Sequence, residues 1–238
     1  MTRLAQLDTD DPENFPDPSQ ALDDPNGLLA FGGDLSPRRL LAAYRRGIFP
    51  WYSQGDPLLW WSPDPRCVFA TGRVHVARRL RRSLRHSKWT LTLDRAFAHV
   101  IRECAAPRAY ESGTWITPDM RHAYTRLHES GHAHSLEVWD GAVLIGGIYG
   151  VAIGRAFSAE SMFSRISDAS KAALLALCRA LRDWNFPWLD AQVPNPHLLR
   201  LGAIELPRQE YLCALSDLVK QPGADFRRLP FTHVAELV

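Results

Sequence analysis

Cysteine is scarce in this chain of 238 residues, which contains four, and no two of them form a C-x-x-C pair. Their wide spacing argues against a disulfide scaffold or a cysteine-based zinc site and is typical of a reduced cytoplasmic protein. No stretch approaches the roughly 18 apolar residues of a membrane-spanning helix. The acidic, proline-bearing N-terminus lacks the pattern of a secretory signal peptide. We therefore expect a soluble, cytoplasmic protein without a membrane anchor.

Common catalytic signatures are also missing. The sequence contains no G-x-S-x-G elbow, no Walker A loop and no G-x-G-x-x-G turn after a strand. His132 and His134 alternate on a predicted strand, but no third ligand accompanies them, so no metal site is predicted. The net charge of +2 does not by itself suggest a nucleic-acid partner for the whole molecule.

Positive charge is concentrated in residues 71–89, which contain seven Arg and Lys residues and no acid. Val76, Leu80 and Leu84 recur every four residues and predict a helix with one apolar seam. Such a helix is either a solvated surface or an anion-binding surface. Like charges three and four residues apart repel each other, which favours a phosphate partner. The candidate phosphate-binding residues are Arg78, Arg79, Arg81, Arg82 and Arg85.

Residues 1–65 form one predicted unit, a small, loop-rich N-terminal domain that contains more than half of the seventeen prolines. Ser36 followed by Pro37 predicts the start of a helix that ends before Gly47. The stretch RRGIFPWYSQGDPLLWWSPDPR (45–66) is interrupted by four prolines, which predicts loop structure and makes a central strand unexpected. Its three tryptophans form either a small core or a flat wall for a nucleobase.

Residues 66–238 form the second predicted unit, in which helical and strand patterns alternate. Asp140-Gly141 predicts a tight hairpin turn within residues 134–154. Residues 167–184 predict an amphipathic helix with Ser167 or Asp168 as its cap. The expected fold class is α+β, with helices packed on a mainly antiparallel sheet.

Three polar residues interrupt otherwise apolar strands. Glu160 lies in AFSAESMF, whereas Asp190 and Gln192 lie in WLDAQV and share one face of that strand. A buried carboxylate requires hydrogen-bonding or charged partners, or it is retained for a function. One interpretation is a structural network with Arg165 or Lys171 as partner. The other is catalytic, with Asp190 binding or deprotonating an amine and Gln192 holding the reacting group in line.

Several motifs together resemble the leucyl/phenylalanyl-tRNA–protein transferases. They are FGGDLSPRRLLAAYRRGIFPW, LWWSPDPR, GTWIT, HAHSLEVW, GGIYGVAIG, ESMFSRISDASKAAL, LDAQ and HLLRLGAIELPRQEY. The resemblance runs from about residue 13 to about residue 215. These bacterial enzymes move Leu or Phe, and Met to a lesser extent, from tRNA to the N-terminal α-amine of proteins that begin with Arg or Lys. The modified proteins are thereby marked for N-end rule degradation.

The resemblance implies a C-terminal domain of the GCN5-related N-acetyltransferase type and a reaction without metal or small cofactor. It implies that Trp51 and Trp115 hold the terminal adenosine of the tRNA, while Trp60 and Trp61 are scaffold. It places Glu160 near the acceptor peptide, Asp190 on the α-amine and Gln192 as relay. The implied aminoacyl side-chain pocket, whose positions are mostly core by periodicity, comprises Phe157, Met162, Leu174, Leu177, Leu181 and Leu189.

Two residues depart from the family pattern. Arg200 stands where the family usually has a small residue, and Leu177 stands where a larger aromatic is common. An acetyl-CoA-dependent acetyltransferase and a non-catalytic RNA-binding protein are the alternatives. Acetyl-CoA enzymes cradle pyrophosphate in a glycine-bearing turn, whereas SRISDASK (164–171) has no glycine. A purely RNA-binding function leaves Glu160, Asp190 and Gln192 unexplained.

Overall fold

The computed structural model describes residues 4–106 and 114–238. The helices are α1 (Pro37–Arg45), α2 (Arg78–His86), α3 (Phe97–Cys104), α4 (Pro118–Glu129), α5 (Ala169–Asp183), α6 (Pro196–Arg200) and α7 (Arg208–Leu218). The strands are β1 (Ala5–Leu7), β2 (Leu28–Gly32), β3 (Phe49–Pro50), β4 (Leu59–Trp61), β5 (Arg66–Ala70), β6 (Thr90–Leu93), β7 (Ala133–Asp140), β8 (Val143–Ile153), β9 (Ala156–Ser164), β10 (Trp188–Gln192) and β11 (Ile204–Leu206). Short 3₁₀ segments cover Pro18–Gln20 and Val234–Leu237. The fold is mixed α and β, with an N-terminal domain and a larger domain.

The N-terminal part is built on a four-stranded sheet in the order β1-β2-β4-β3. Helix α1 begins where the sequence predicts, because the Ser36 side chain accepts a hydrogen bond from the backbone N–H of Arg39. The prediction of loop structure for residues 45–66 is wrong at Phe49–Pro50, which form the short strand β3, and at Leu59–Trp61. The latter segment forms β4, which pairs with a neighbour on each side. The prolines at 57 and 63 flank this strand without interrupting it, so its backbone donors stay free to pair.

The larger sheet has seven strands in the order β11-β5-β10-β9-β8-β7-β6. All neighbours are antiparallel except β9 and β10, which are parallel and connected through α5. Their pairing covers only Leu189 with Phe157 and Asp190 with Ser158. Strand β9 continues to Ser164 and β10 ends at Gln192, so the segment of β9 around Glu160 lies beyond the pairing with β10. This local separation of two strands creates room for a site.

Helices cover both faces of the larger sheet, and two adjacent glycines of β8 allow them to approach closely. A Cβ on Gly146 would lie 2.7 Å from Ala169 of α5, and a Cβ on Gly147 would lie 3.1 Å from Val100 of α3. The apolar seam of α2, Leu80 and Leu84, joins the same buried cluster as α5. Helices α3 and α4 pack into a second cluster that extends into the N-terminal domain. The two clusters therefore lie on opposite faces of the sheet.

The hairpin and the amphipathic helix predicted from the sequence are confirmed as β7–β8 and α5. The expected cap of α5 is different in detail. Asp168 occupies the N-cap position, but its carboxylate makes no capping hydrogen bond and instead accepts one from the Lys171 ammonium at 2.7 Å. Val76, predicted as part of the seam of α2, lies two residues before that helix begins.

Candidate active site

A cavity of about 1000 Å³ lies where the N-terminal domain meets the open end of the β9–β10 pair. Its lining comes from residues 49–51, 53 and 54 after α1, residues 114–118 before α4, Glu160 of β9 and residues 191–195 at the end of β10. The structure therefore brings four of the predicted site residues, Trp51, Trp115, Glu160 and Gln192, to one cavity. The volume is at the upper end of the range of small-molecule sites, ~300–1000 Å³.

The two tryptophans assigned to a nucleoside form part of the wall of this cavity. The side chain of Trp51 is 42% exposed, and Trp115 is half-buried. The Trp61 indole N–H donates to the Trp51 carbonyl at 2.6 Å, and the two rings lie 5.5 Å apart. Trp60 is fully buried and donates to the Gly32 carbonyl. Trp51 and Trp115 thus line the cavity, whereas Trp60 and Trp61 do not; adenosine binding stays a prediction.

Glu160 forms the acidic floor of the cavity. One carboxyl oxygen accepts a hydrogen bond from the Gln192 carboxamide at 2.9 Å, and the other accepts one from the Tyr124 hydroxyl at 2.8 Å. The Tyr124 hydroxyl is also hydrogen-bonded to that of Tyr44, 2.5 Å away. Burial raises the pKa of Glu160 to about 7, against the opposing effect of these hydrogen bonds. The group is therefore able to exchange a proton near neutral pH.

Asp190 lies behind the cavity and does not contribute to its lining. Its carboxylate accepts two hydrogen bonds from the Arg66 guanidinium, from Nε to Oδ1 at 2.8 Å and from Nη2 to Oδ2 at 2.7 Å. The hydroxyls of Tyr211 and Ser158 donate to the same carboxylate, at 2.9 and 3.1 Å. The expected partners are wrong: the Arg165 side chain binds Glu103 and that of Lys171 binds Asp168. Direct contact of Asp190 with an amine stays a prediction.

Arg66 is held in a fully buried position by three kinds of contact. Its guanidinium lies over the rings of Phe49 and Tyr211, at 4.9 and 4.7 Å from their centroids. It also donates to the Gly47 carbonyl at 2.9 Å. Burial opposes the charge of Arg66, but the Asp190 carboxylate outweighs it and raises the pKa of Arg66. Arg66 therefore connects Gly47, just after α1, to Asp190 of β10 behind the cavity.

The backbone of Gln192 is in the left-handed region, with φ of 62°. This conformation costs a non-glycine residue about 1 kcal/mol or more. The register of β10 against β5 shifts at the same point, and the Gln192 backbone N–H donates to Asp190 at 2.9 Å. Asp190 therefore stabilises the bend that directs the Gln192 carboxamide towards Glu160.

The six residues of the expected side-chain pocket lie together but do not line the cavity. Five of them are members of one buried cluster, and Met162 is partly buried against it. Phe157, for example, is 1% exposed and Leu181 is fully buried. The remaining members of the set are Leu174, Leu177 and Leu189. The structure thus confirms that they share one core, and their role as a pocket stays a prediction.

The five arginines of α2 are all exposed, on the side opposite Leu80 and Leu84. Within residues 4–106 and 114–238, none of them forms an ion pair with an acid. Their phosphate-binding role stays a prediction.

Of the two histidines considered as metal ligands, His134 is hydrogen-bonded to Asp94 at 2.7 Å. Across the described ranges, no group of three or more His, Cys, Asp or Glu residues is arranged to hold a metal ion. No helix in the same ranges is long and apolar enough to cross a membrane.

Five residues of the network were not identified from the sequence: Arg66, Tyr211, Tyr124, Tyr44 and Ser158. Arg66 had one weak signal, since a charge in the apolar strand RCVFA needs a buried partner. The tyrosines lie on helices α1, α4 and α7 at positions that fit an ordinary apolar face. Nothing in their sequence context distinguishes them from core residues.

A cavity that joins exposed tryptophan to a buried carboxyl group of perturbed pKa is typical of an enzyme active site. Comparison with known proteins identifies the enzyme class. The family model described as leucyl/phenylalanyl-tRNA protein transferase matches residues 68–216, and the model of the N-terminal domain of the same family matches residues 33–64. The chain belongs to this family and is an aminoacyltransferase.

Curated relatives extend the similarity to nearly the full chain. The leucyl/phenylalanyl-tRNA–protein transferase of Xanthomonas axonopodis pv. citri (strain 306) is 58% identical over 218 residues, which are 91% of this chain and 88% of that protein. The protein of the same name from Nitratidesulfovibrio vulgaris (strain DP4) is 54% identical over 223 residues, 93% and 94% of the two chains. Among solved structures, L-PGS from Bacillus licheniformis covers 71% of this chain and 54% of its own at 10% identity, with a TM-score of 0.40. That likeness is too weak to bear on function.

Proposed function

We propose that this protein transfers Leu or Phe, and Met less well, from aminoacyl-tRNA to the N-terminal α-amine of proteins that begin with Arg or Lys. The nitrogen of the amine attacks the ester carbonyl, the bond from that carbonyl to the adenosine 3′-oxygen breaks, and a peptide bond forms. The amine loses one proton and the departing 3′-oxygen gains one, so no oxidant, metal or cofactor is consumed. Modification of such N-termini marks the proteins for degradation.

The observation that carries this proposal is the pairing of Glu160 with Gln192 at the floor of a cavity whose wall includes Trp51 and Trp115. An acceptor amine that reaches the floor meets the Glu160 carboxyl group first. With a pKa of about 7, this group is part ionised at neutral pH and is suited to take the amine proton. An N-terminal α-amine has an ordinary pKa of roughly 7.7–8.0, so only modest help is needed.

Asp190 and Gln192 act together in this proposal. The Gln192 carboxamide aligns the amine or the ester carbonyl for attack. Asp190 acts on the amine through Gln192, because its carboxylate fixes the backbone of Gln192. Such positioning lowers the activation free energy, because holding two reactants in the reactive orientation contributes up to ~7–11 kcal/mol in ideal cases. The acidic floor also favours acceptors that carry a positive N-terminal side chain, Arg or Lys.

The aminoacyl-tRNA is bound at three places. The terminal adenosine stacks on Trp51 and Trp115, where base–aromatic stacking contributes ~1–3 kcal/mol per base. The arginines of α2 bind backbone phosphates. The Leu or Phe side chain enters the apolar cluster that contains Phe157, Leu177 and Leu181, whose side chains part to admit it.

We place the boundary between the two domains at residues 65 and 66, and assign residues 66–238 to the GCN5-related N-acetyltransferase type. The parallel β9–β10 pair joined by α5 in an otherwise antiparallel sheet supports this assignment. In acetyl-CoA enzymes a glycine-bearing turn leads into the helix at this position. The corresponding turn here, residues 164–168, has no glycine, which disfavours CoA as donor. The four free cysteines support a cytoplasmic location.

The test is transfer of a labelled amino acid. Purified protein is mixed with tRNA carrying labelled leucine and a short peptide beginning with Arg, without CoA. Label on the peptide N-terminus is the expected result, and a peptide with an acetylated N-terminus is the matched control. Transfer from acetyl-CoA alone would contradict the assignment of the donor. Binding of tRNA without transfer to any peptide would leave only an RNA-binding function.

A further inference from the structure

Helix α6 lies between the cavity and the arginine-rich helix α2. It begins directly after Asn195, which lines the cavity and caps the helix by accepting a hydrogen bond from the Leu198 N–H at 2.9 Å. At its other end, the Leu201 carbonyl accepts a hydrogen bond from the His75 N–H at 3.1 Å. His75 is three residues before α2 begins. The α6 segment is therefore a direct physical connection between the two sites.

Close packing fixes this connection. Gly202 has a φ of 97°, and a Cβ at this position would lie 3.0 Å from the His75 nitrogen. The backbone of the α6 segment thus rests against residues 73–75, and strand β11 then pairs with β5. Arg73 and His75 are both exposed on this segment.

The exposed side of α6 is basic. His197 and Arg200 are exposed, and Lys171 of α5 is half-buried. Burial lowers the pKa of His197, and the charges of Lys171 and Arg200 lower it further, so the neutral imidazole is favoured. His197 would therefore meet a phosphate as a hydrogen-bond donor, and the positive charge of this surface comes from Arg200 and Lys171. The only acid bound to any of the three within the described residues is Asp168, which pairs with Lys171. Arg200 is thus a cation with no acid partner in that part of the chain.

We propose that His197, Arg200 and Lys171 bind phosphates of the single-stranded 3′ end of the tRNA as it passes from α2 to the cavity. The proposal rests on the proposed function, since it assumes that the donor end of the tRNA enters that cavity. Five helical residues span ~7.5 Å, which suits one or two backbone phosphates. Val193 and Leu199, 38% and 42% exposed, offer adjacent apolar surface for ribose or base.

The occupant is a nucleic acid strand and not the acceptor protein, because the acceptors carry positive N-termini and this surface would repel them. It also continues the positive charge of α2 towards the cavity, where the Arg200 guanidinium has no acid partner among the described residues although Lys171 is paired with Asp168. Arg200 is exposed, so its substitution by serine removes the positive charge with little effect on packing.

The experiment compares Arg200→Ser with Arg102→Ser, an exposed arginine of α3 on the opposite face of the sheet. Binding of an RNA acceptor-stem hairpin is measured between 50 and 200 mM salt, about the range in which such contacts are sensitive. The hairpin is used with its single-stranded 3′ end and as a blunt form that lacks it. We expect R200S to lower the salt slope by about 0.7 for the single-stranded form only. R102S is expected to leave both slopes unchanged.

Three results would overturn the inference. In the first, the salt dependence of RNA binding by R200S equals that of the unsubstituted protein. In the second, this salt dependence falls equally for the blunt hairpin. In the third, R200S raises the KM of the acceptor peptide and leaves RNA binding unchanged. Thermal unfolding of both variants checks that each is folded. The experiment measures binding and does not depend on transfer. A protein that binds the hairpin without transferring leucine would contradict the proposed function, and the comparison of R200S with R102S would still test the inference.

Discussion

Replacement of Glu160 by Gln is the most informative perturbation of the site, because it keeps the shape of the side chain and removes its titration. Burial raises the pKa of Glu160 from 4.5 to about 7. The folded protein therefore binds more protons than the unfolded chain between these values. Stability contributed by the protonated group is fully present below pH 4.5 and is lost as the pH rises through 7. Above that range, the unsubstituted protein has a buried charge that the variant lacks.

The magnitude follows from the two pKa values. At ~1.36 kcal/mol per pKa unit, the unsubstituted protein loses roughly 2.5 kcal/mol relative to Glu160→Gln between pH 5 and pH 8. Urea unfolding of both proteins at the two pH values measures this difference. Comparing the proteins cancels every other titrating group, including Glu137, whose pKa burial also raises to about 7.

Activity provides the second measurement. The ionised fraction of a group with pKa 7 rises about tenfold between pH 6 and pH 8, so the rate of the unsubstituted protein relative to Glu160→Gln should rise by a similar factor. Single-turnover transfer at saturating peptide gives the rates, and the titration of the peptide amine cancels in the ratio. At pH 8 we expect the variant to be slower by ~10²–10⁴-fold.

Glu137 offers a matched control. It is fully buried and accepts hydrogen bonds from the side chains of Ser135 and Thr92, but it does not line the cavity. Glu137→Gln should reproduce the stability difference and leave the pH dependence of the rate as in the unsubstituted protein. A rate ratio for Glu160→Gln that is flat with pH would refute the assignment of Glu160 as proton acceptor. A flat stability difference would refute the raised pKa itself.

Other parts of the site yield further predictions. Asp190→Ala should cut transfer at least about tenfold, while tRNA binding measured on the folded fraction persists. Because the variant leaves Arg66 buried without its partner, the free energy of unfolding should fall by ~3–5 kcal/mol. Lost tRNA binding would mean that Asp190 is purely structural. Trp115→Ala should weaken binding of the aminoacyl-tRNA by ~1–3 kcal/mol in a filter assay, whereas unchanged affinity would remove it from the adenosine site. Changing four arginines of α2 to Gln should flatten the salt dependence of tRNA binding, and a surviving slope would make α2 only a solvated surface. These are Arg78, Arg79, Arg81 and Arg82.

The elements that the sequence determined by itself are those encoded by neighbouring residues. The helix start at Ser36 and the hairpin turn at Asp140 depend on caps and turns a few residues long. The apolar period of α5 is equally local. The apolar strands around Glu160 and Gln192 also identified these two residues as unusual, because a buried polar group requires hydrogen-bonding partners or a function.

Only the tertiary structure decided how those residues are used. Arg66 reaches Asp190 across 124 residues, and Tyr124 reaches Glu160 across 36. Tyr124 has no local signal, because it lies on a helix face that is apolar by pattern. Arg66 has only a weak one, a charge within an apolar strand, and that signal does not name its partner. The separation of β9 from β10 then determines that Glu160 and Gln192 face a cavity while Asp190 lies behind it. The pKa of Glu160 is likewise a property of the packed fold, because the desolvation that raises it exists only where distant segments exclude water together.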